Sequence, residues 1–193
     1  HFLLPALGFA SKPYIPDMPG IAAFEGDWCH TARWPQQGID LSGRRIAVIG
    51  TGASGVQIAQ EAAKCAEKLT LFQRTPILGL PMRQERLTED IQQRDKQGYP
   101  AIFVRRKRTN GGFECQSLDI SALDVDATTR NNHFETLWRQ GGLKFWYNNF
   151  ADILTNREAN RYAYEFWRKK VLARIIDPVL AEKLAPAEPP HPF

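Results

Sequence analysis

Cysteine is scarce in this sequence. Cys29, Cys65 and Cys115 are odd in number, far apart and never spaced as C-x-x-C, so the pattern offers neither a disulfide framework nor a zinc site, and no metal ligand is assigned. Long hydrophobic runs are missing too. No stretch approaches the roughly 18 to 20 apolar residues that cross a bilayer, and no charged region, apolar core and cleavage site can be assembled at the amino end. Together these absences predict a cytoplasmic protein in a reduced compartment, with no membrane partner. An initiating methionine is also lacking. The chain begins at His1, and Phe2, Leu3 and Leu4 read as the end of a buried strand, so the start of the protein is expected upstream.

What is present is a chain of 193 residues, 43% hydrophobic and 24% charged, a composition that supports one globular domain with an appendage. The net charge is +4, and Arg105, Arg106, Lys107 and Arg108 form its densest cluster. That cluster reads as a solvated loop, because it lacks the interleaved aromatics of nucleic-acid surfaces, and no nucleic-acid partner is expected. A diffuse positive field would favour a phosphorylated small molecule.

Residues 1–43 read as a linker: a short strand, then Pro13, Pro16, Pro19 and Gly20, which stiffen a connection without allowing helix. Over 44–76 the pattern changes. Ile46, Ala47, Val48 and Ile49 form a continuous apolar run of the kind buried on both faces in a parallel sheet. From Ala53 to Ala66, Val56, Ala59, Ala62, Ala63 and Ala66 recur at helical spacing, and Leu69 to Gln73 returns as a second strand. Strand, helix and strand in about thirty residues make one βαβ unit, with a right-handed crossover.

Residues 77–185 read as a helical insertion of three or four helices. Its clearest segment opens with Thr155 and Glu158 in capping-box spacing, continues with the face Ala159, Tyr162, Ala163, Phe166, Ala173 and Ile176, and stops at Asp177 and Pro178. A short helix near Val179 to Leu184 leads into a proline-rich tail, 186–193, which reads as interrupted. No internal repeat is visible.

Gly50, Gly52 and Gly55 spell G-x-G-x-x-G between the first strand and its helix. In that place the first glycine permits the tight turn, the second lets backbone approach a pyrophosphate, and the third lets helix and strand pack closely. The helix amino end adds N–H groups and a positive dipole end. Gly50, Thr51, Gly52, Ala53, Ser54 and Gly55 are therefore candidate pyrophosphate residues, with Thr51 and Ser54 adding hydroxyl donors and Gln57 one turn further on. At the end of the second strand an NAD site places an acid for the ribose hydroxyls. Here stand Gln73, Arg74 and Thr75, so Arg74, with Thr75 beside it, is expected to meet a ribose 2′-phosphate, and NADP(H) is the expected dinucleotide. The bland alternative is a surface arginine ending a strand. The fold class that follows is α/β: a Rossmann-like NADP-binding βαβ unit with a parallel sheet and an inserted helical subdomain.

Upstream, Phe24, Gly26, His30, Trp34 and Pro35 fit F-x-G-x-x-x-H-x-x-x-W-P. That pattern before a G-x-G-x-x-G resembles the fingerprint of the Baeyer-Villiger monooxygenases. The resemblance extends over essentially the whole chain, through Ala6-Leu7-Gly8, Phe72-Gln73-Arg74-Thr75-Pro76, and Asp177-Pro178 followed by Ala181-Glu182-Lys183-Leu184, and is nearest to the cyclic-ketone branch, large-ring enzymes included. It implies an internal piece of a flavoprotein in which NADPH reduces FAD and dioxygen supplies the atom inserted beside a ketone, giving an ester or lactone. It also implies that His30 and Trp34 sit in the linker between two dinucleotide domains, helping to position NADPH. The FAD site and the catalytic arginine, which in the family follows soon after a segment like Pro190-His191-Pro192-Phe193, would belong to the rest of the same polypeptide. No catalytic residue is assigned here, and these residues alone are expected to be inactive. Two other readings remain: a flavin-containing or N-hydroxylating monooxygenase acting on nitrogen or sulfur, and a stand-alone NADP-binding regulatory module.

Overall fold

The computed structural model describes residues 2–8 and 11–192. His1 and Phe193, which open the expected strand and close the proline-rich tail, lie outside the described residues, as do Phe9 and Ala10 of the linker. The chain divides into two compact units, 1–75 and 76–193.

In the first unit, β1 (Arg45–Ile49) and β2 (Lys68–Phe72) pair in parallel, in register from Arg45 opposite Lys68 to Ile49 opposite Phe72. The connecting helix α1 spans Ala53–Ala62. It ends four residues before the apolar spacing does, because the chain must turn back toward β2: Ala66 N–H still reaches Ala62 O at 2.8 Å, while Gly43 N–H bonds Cys65 O at 2.9 Å. Burial on both faces of β1 is not found. Val48 is the one buried strand residue among those described, whereas Ile49 is 68% exposed and Leu71 and Phe72 are exposed as well. A two-stranded sheet has two open edges, and α1 alone cannot cover both of its faces. The strand expected at Phe2, Leu3 and Leu4 is likewise absent: these residues lack any ladder among the described residues and are almost wholly exposed. Apolar composition does not make a strand without a neighbour to take its N–H and C=O groups.

The second unit is built on aromatic packing. Phe134 and Trp138 of α3 (Ala127–Gln140), Phe145 of α4 (Lys144–Tyr147), the loop residue Phe150 and Phe166 of α5 (Arg157–Leu172) are all buried. Their rings meet at 5.4 Å between Phe134 and Phe166, 5.8 Å between Phe145 and Phe166, and 5.9 Å between Phe134 and Phe150, in tilted, stacked and edge-on arrangements respectively, at spacings typical of aromatic pairs. Asp126 caps α3 by accepting from Thr128 and Thr129 N–H at 2.8 and 3.0 Å. Hydrogen bonds from the Thr129 hydroxyl and the same backbone amides hold its carboxyl below the usual range.

Helix α5 departs from its expected cap. Asn156, not Thr155, is the N-cap, its Oδ1 accepting from Glu158 N–H at 2.9 Å and Ala159 N–H at 3.2 Å. Thr155 donates to Asp152 O at 3.5 Å, and the Glu158 carboxylate accepts from the Tyr162 hydroxyl at 3.1 Å. Asparagine is as good a cap as threonine, and the helix starts one residue later than the capping-box spacing implied. The buried face is Ala159, Ala163 and Phe166, joined by Asn160, Tyr164 and Trp167. Ala173 and Ile176 lie beyond the last helical residue and are exposed. Asp177 does not end α5. It caps α6 (Pro178–Leu184), accepting from Val179 N–H at 2.8 Å, with Pro178 at the first helical position.

The basic cluster is helical rather than a loop at its start. Arg105 and Arg106 form the last turn of α2 (Glu89–Arg106), where cations suit the dipole, and Arg105 pairs with Glu114. The segment after β2 is held within the second unit by Trp167 Nε1, which donates to Gly79 O at 2.8 Å, and by Gly142 N–H, which donates to Pro81 O at 2.9 Å.

Candidate dinucleotide site

The turn from β1 into α1 needs its three glycines for three different reasons. Gly50 has φ +99°, a conformation that side chains resist, and its N–H donates to Phe72 O at 2.9 Å, tying the turn to the end of β2. At Gly55 a Cβ would lie 2.2 Å from Gly50 O, so the first helical turn packs directly on the backbone of the glycine loop. Gly52 is unlike either. Its φ of −66° is ordinary and a Cβ there would meet nothing within 4 Å. The turn itself does not require this glycine; only something arriving from outside would.

Gly52 is also the N-cap of α1 and supplies no side-chain cap. The first intrahelical bond of this turn runs from Val56 N–H to Gly52 O at 3.0 Å. The amides of Ala53, Ser54 and Gly55 therefore open the helix as donors, with the positive end of the helix dipole behind them. Ala53, Ser54 and Gln57 are exposed around this end. Arg74 and Thr75 follow the last residue of β2 and are exposed. In parallel strands the ends of β1 and β2 lie side by side, so the glycine turn and Arg74 stand at the same end of the sheet.

Thr51 is placed differently from the role its hydroxyl was expected to fill. It is only 8% exposed, and its Oγ1 donates to Thr75 O at 3.3 Å. A hydroxyl has one proton to give, so Ser54 is left as the exposed hydroxyl of the turn. Sequence reasoning missed this link, although a β-branched hydroxyl between two glycines was the available signal.

The fingerprint residues form a loop of their own. The Phe24 ring lies over Gly26, where a Cβ would come within 2.6 Å of it. His30 Nδ1 accepts from Ala32 N–H at 3.1 Å and so caps the short turn Thr31–Arg33. Trp34 and Pro35 are half-buried, and Asp27 pairs with Arg44 at 3.0 Å, fastening the loop to the residue before β1.

A family model for pyridine nucleotide-disulphide oxidoreductases matches residues 3–98, a stretch that includes both strands and the glycine turn. Cyclopentanone 1,2-monooxygenase of Comamonas sp. (strain NCIMB 9872) is 48% identical over 193 residues, 100% of this chain and 35% of the relative. Cyclohexanone 1,2-monooxygenase of Acinetobacter sp is 36% identical over 189 residues, 97% of this chain and 35% of the relative. Both relatives are Baeyer-Villiger monooxygenases, to which this chain is similar over essentially its whole length. The chain spans about a third of the length of these curated relatives. A crystal structure of OTEMO in complex with FAD and NADP superposes with a TM-score of 0.91 at 38% identity, over 97% of this chain and 36% of that one. The open crystal structure of cyclohexanone monooxygenase superposes at 0.88 with 36% identity, over 96% of this chain and 36% of that one. These relatives thus resemble the chain in sequence and in backbone over nearly its whole length.

Proposed function

We propose that the chain is the NADPH-binding part of a flavin-dependent Baeyer-Villiger monooxygenase that converts ketones to esters or lactones with NADPH and dioxygen. The observation that carries this reading is Gly52: a glycine with ordinary φ and open space where its Cβ would be, at the uncapped amino end of α1, next to a strand end that offers Arg74 and no acid. The residues fit a phosphorylated dinucleotide. Gly50, Gly52, Ala53, Ser54, Gly55 and Gln57 would line the pyrophosphate, and Arg74 and Thr75 the ribose 2′-phosphate, while Thr51 is buried with its hydroxyl bonded to Thr75 O. That the OTEMO complex contains FAD and NADP supports both cofactors, with FAD held by the rest of the polypeptide.

When bound, the nicotinamide supplies the hydride and the flavin the dioxygen chemistry. The residues of this chain bind and orient. Helix α1 turns its amide donors to the diphosphate, and Arg74 offers a planar fork of N–H donors to a second phosphate. His30 and Trp34, in the fingerprint loop fastened to β1 through the Asp27–Arg44 pair, help to place NADPH. The working compartment is the cytoplasm.

The test is conversion by the full-length protein. With NADPH and labelled dioxygen, a cyclic ketone should yield a lactone carrying one labelled atom. Oxidation of amines or sulfides, with every cyclic and linear ketone left unconverted, would assign the protein to the nitrogen- and sulfur-oxygenating monooxygenases instead.

A further inference from the structure

We propose that Thr51 is a positioning residue for cofactor choice: it spaces the pyrophosphate turn from the 2′-phosphate turn, and does not bind phosphate through its hydroxyl. The proposal rests on the NADPH reading above.

Among the described residues of the first unit, Thr51 is the one buried polar side chain. It stands between Gly50, with φ +99°, and Gly52, two residues whose backbone is loosely restrained by their own chemistry. Gly50 and Thr51 both bond this turn to the far strand and the residues after it. Gly50 N–H reaches Phe72 O, the last residue of β2, at 2.9 Å. Thr51 Oγ1 reaches Thr75 O at 3.3 Å, beyond the strand and one residue past Arg74. The first bond continues the sheet. The second ties a side chain of the glycine turn to the backbone of the turn that carries Arg74.

The chemistry of NADPH gives this link a use. Its two anionic groups, the diphosphate and the 2′-phosphate, are covalently fixed to one adenosine ribose. A protein that grips both must hold its two donor sets at one separation. NADH has only the diphosphate and makes no such demand. The single hydroxyl proton of Thr51 is committed to Thr75 O, so the side chain acts on the ligand through Arg74.

Thr51→Val keeps the branched shape and removes the donor, while Thr75 is exposed, so its carbonyl regains water. In the full-length holoprotein, KM for NADPH should rise about three- to tenfold, the range for one neutral hydrogen bond. KM for NADH and kcat with either cofactor should stay within about twofold, and Thr51→Ser should restore the NADPH value, since the hydroxyl returns. Combined with Arg74→Ala, the valine substitution should add almost nothing, because its effect passes through the missing guanidinium. Equal losses for NADPH and NADH, or an additive double variant, would overturn the proposal in favour of a direct phosphate donor. So would a valine variant with unchanged KM while Arg74→Ala alone lowers the preference for NADPH. If Arg74→Ala itself leaves the preference intact, the underlying placement of the 2′-phosphate is wrong and this inference goes with it. Should the valine variant not accumulate as folded holoprotein, Thr51→Ala read by the same cofactor ratio carries the test.

Discussion

Gly52 and Gly55 lie three residues apart in one motif, yet alanine should do opposite things at them. At Gly55 the new methyl would be placed 2.2 Å from Gly50 O, a backbone atom that cannot swing aside as a side-chain end can. Either α1 lifts from the end of β1 or the Gly50 turn is distorted, and overpacking of this kind costs about 1 to 3 kcal/mol or more. At Gly52 the methyl meets nothing within 4 Å and φ is already −66°. There the gain of roughly 0.4 to 1 kcal/mol from a stiffer unfolded chain is set against the preference for glycine over alanine at an N-cap, and the net change in stability should be near zero. Binding reverses the order. On the proposed placement the Gly52 methyl would occupy the path of the pyrophosphate, and a misfit of about 1 to 3 kcal/mol should weaken NADPH by about five- to a hundredfold. Denaturant titration and equilibrium binding of NADPH to the full-length variants separate the two effects. Undiminished NADPH affinity in Gly52→Ala, or undiminished stability in Gly55→Ala, would refute the division of labour.

Two further predictions concern the helical unit. Asn156→Ala should destabilise it by about 1 kcal/mol through loss of the α5 cap, whereas Thr155→Ala should change the denaturation midpoint little, as the Thr155 hydroxyl makes only a long bond to Asp152 O; the reverse ranking would restore the capping-box assignment. Phe134→Ala removes a ring that is fully buried among Phe145, Phe150 and Phe166 and should cost about 3 to 5 kcal/mol, so a variant that unfolds at the wild-type denaturant concentration would contradict the placement of this core.

The parts of the molecule legible in the sequence were those set by short-range chemistry. The glycine turn, the two parallel strands and α1 announce themselves because glycine geometry, a β-rich run and helical spacing all lie within about thirty residues. The exposed second face of the strands was not legible, since burial depends on neighbours that local pattern does not reveal. The same reason defeats the strand at Phe2 to Leu4. The cap of α5 was missed by one residue because Thr155 and Asn156 both suit the role, and only the bonds from the Thr155 hydroxyl to Asp152 O and from Glu158 N–H to Asn156 Oδ1 decide between them. Thr51 was assigned to phosphate by residue type alone; its partner, Thr75 O, lies 24 residues away and becomes visible only when β1 and β2 are paired.

The central claim is that this βαβ unit grips NADPH by two anions, and Arg74 isolates the second. A charge-assisted bond is worth about 1.5 to 3 kcal/mol, so Arg74→Ala in the full-length protein should weaken NADPH by about ten- to a hundredfold while NADH changes far less. Flavin content should remain that of the wild type. Steady-state kinetics with both cofactors measure the ratio directly: a collapse of the NADPH preference is the predicted result, and equal losses for NADPH and NADH, or no loss for either, would contradict it.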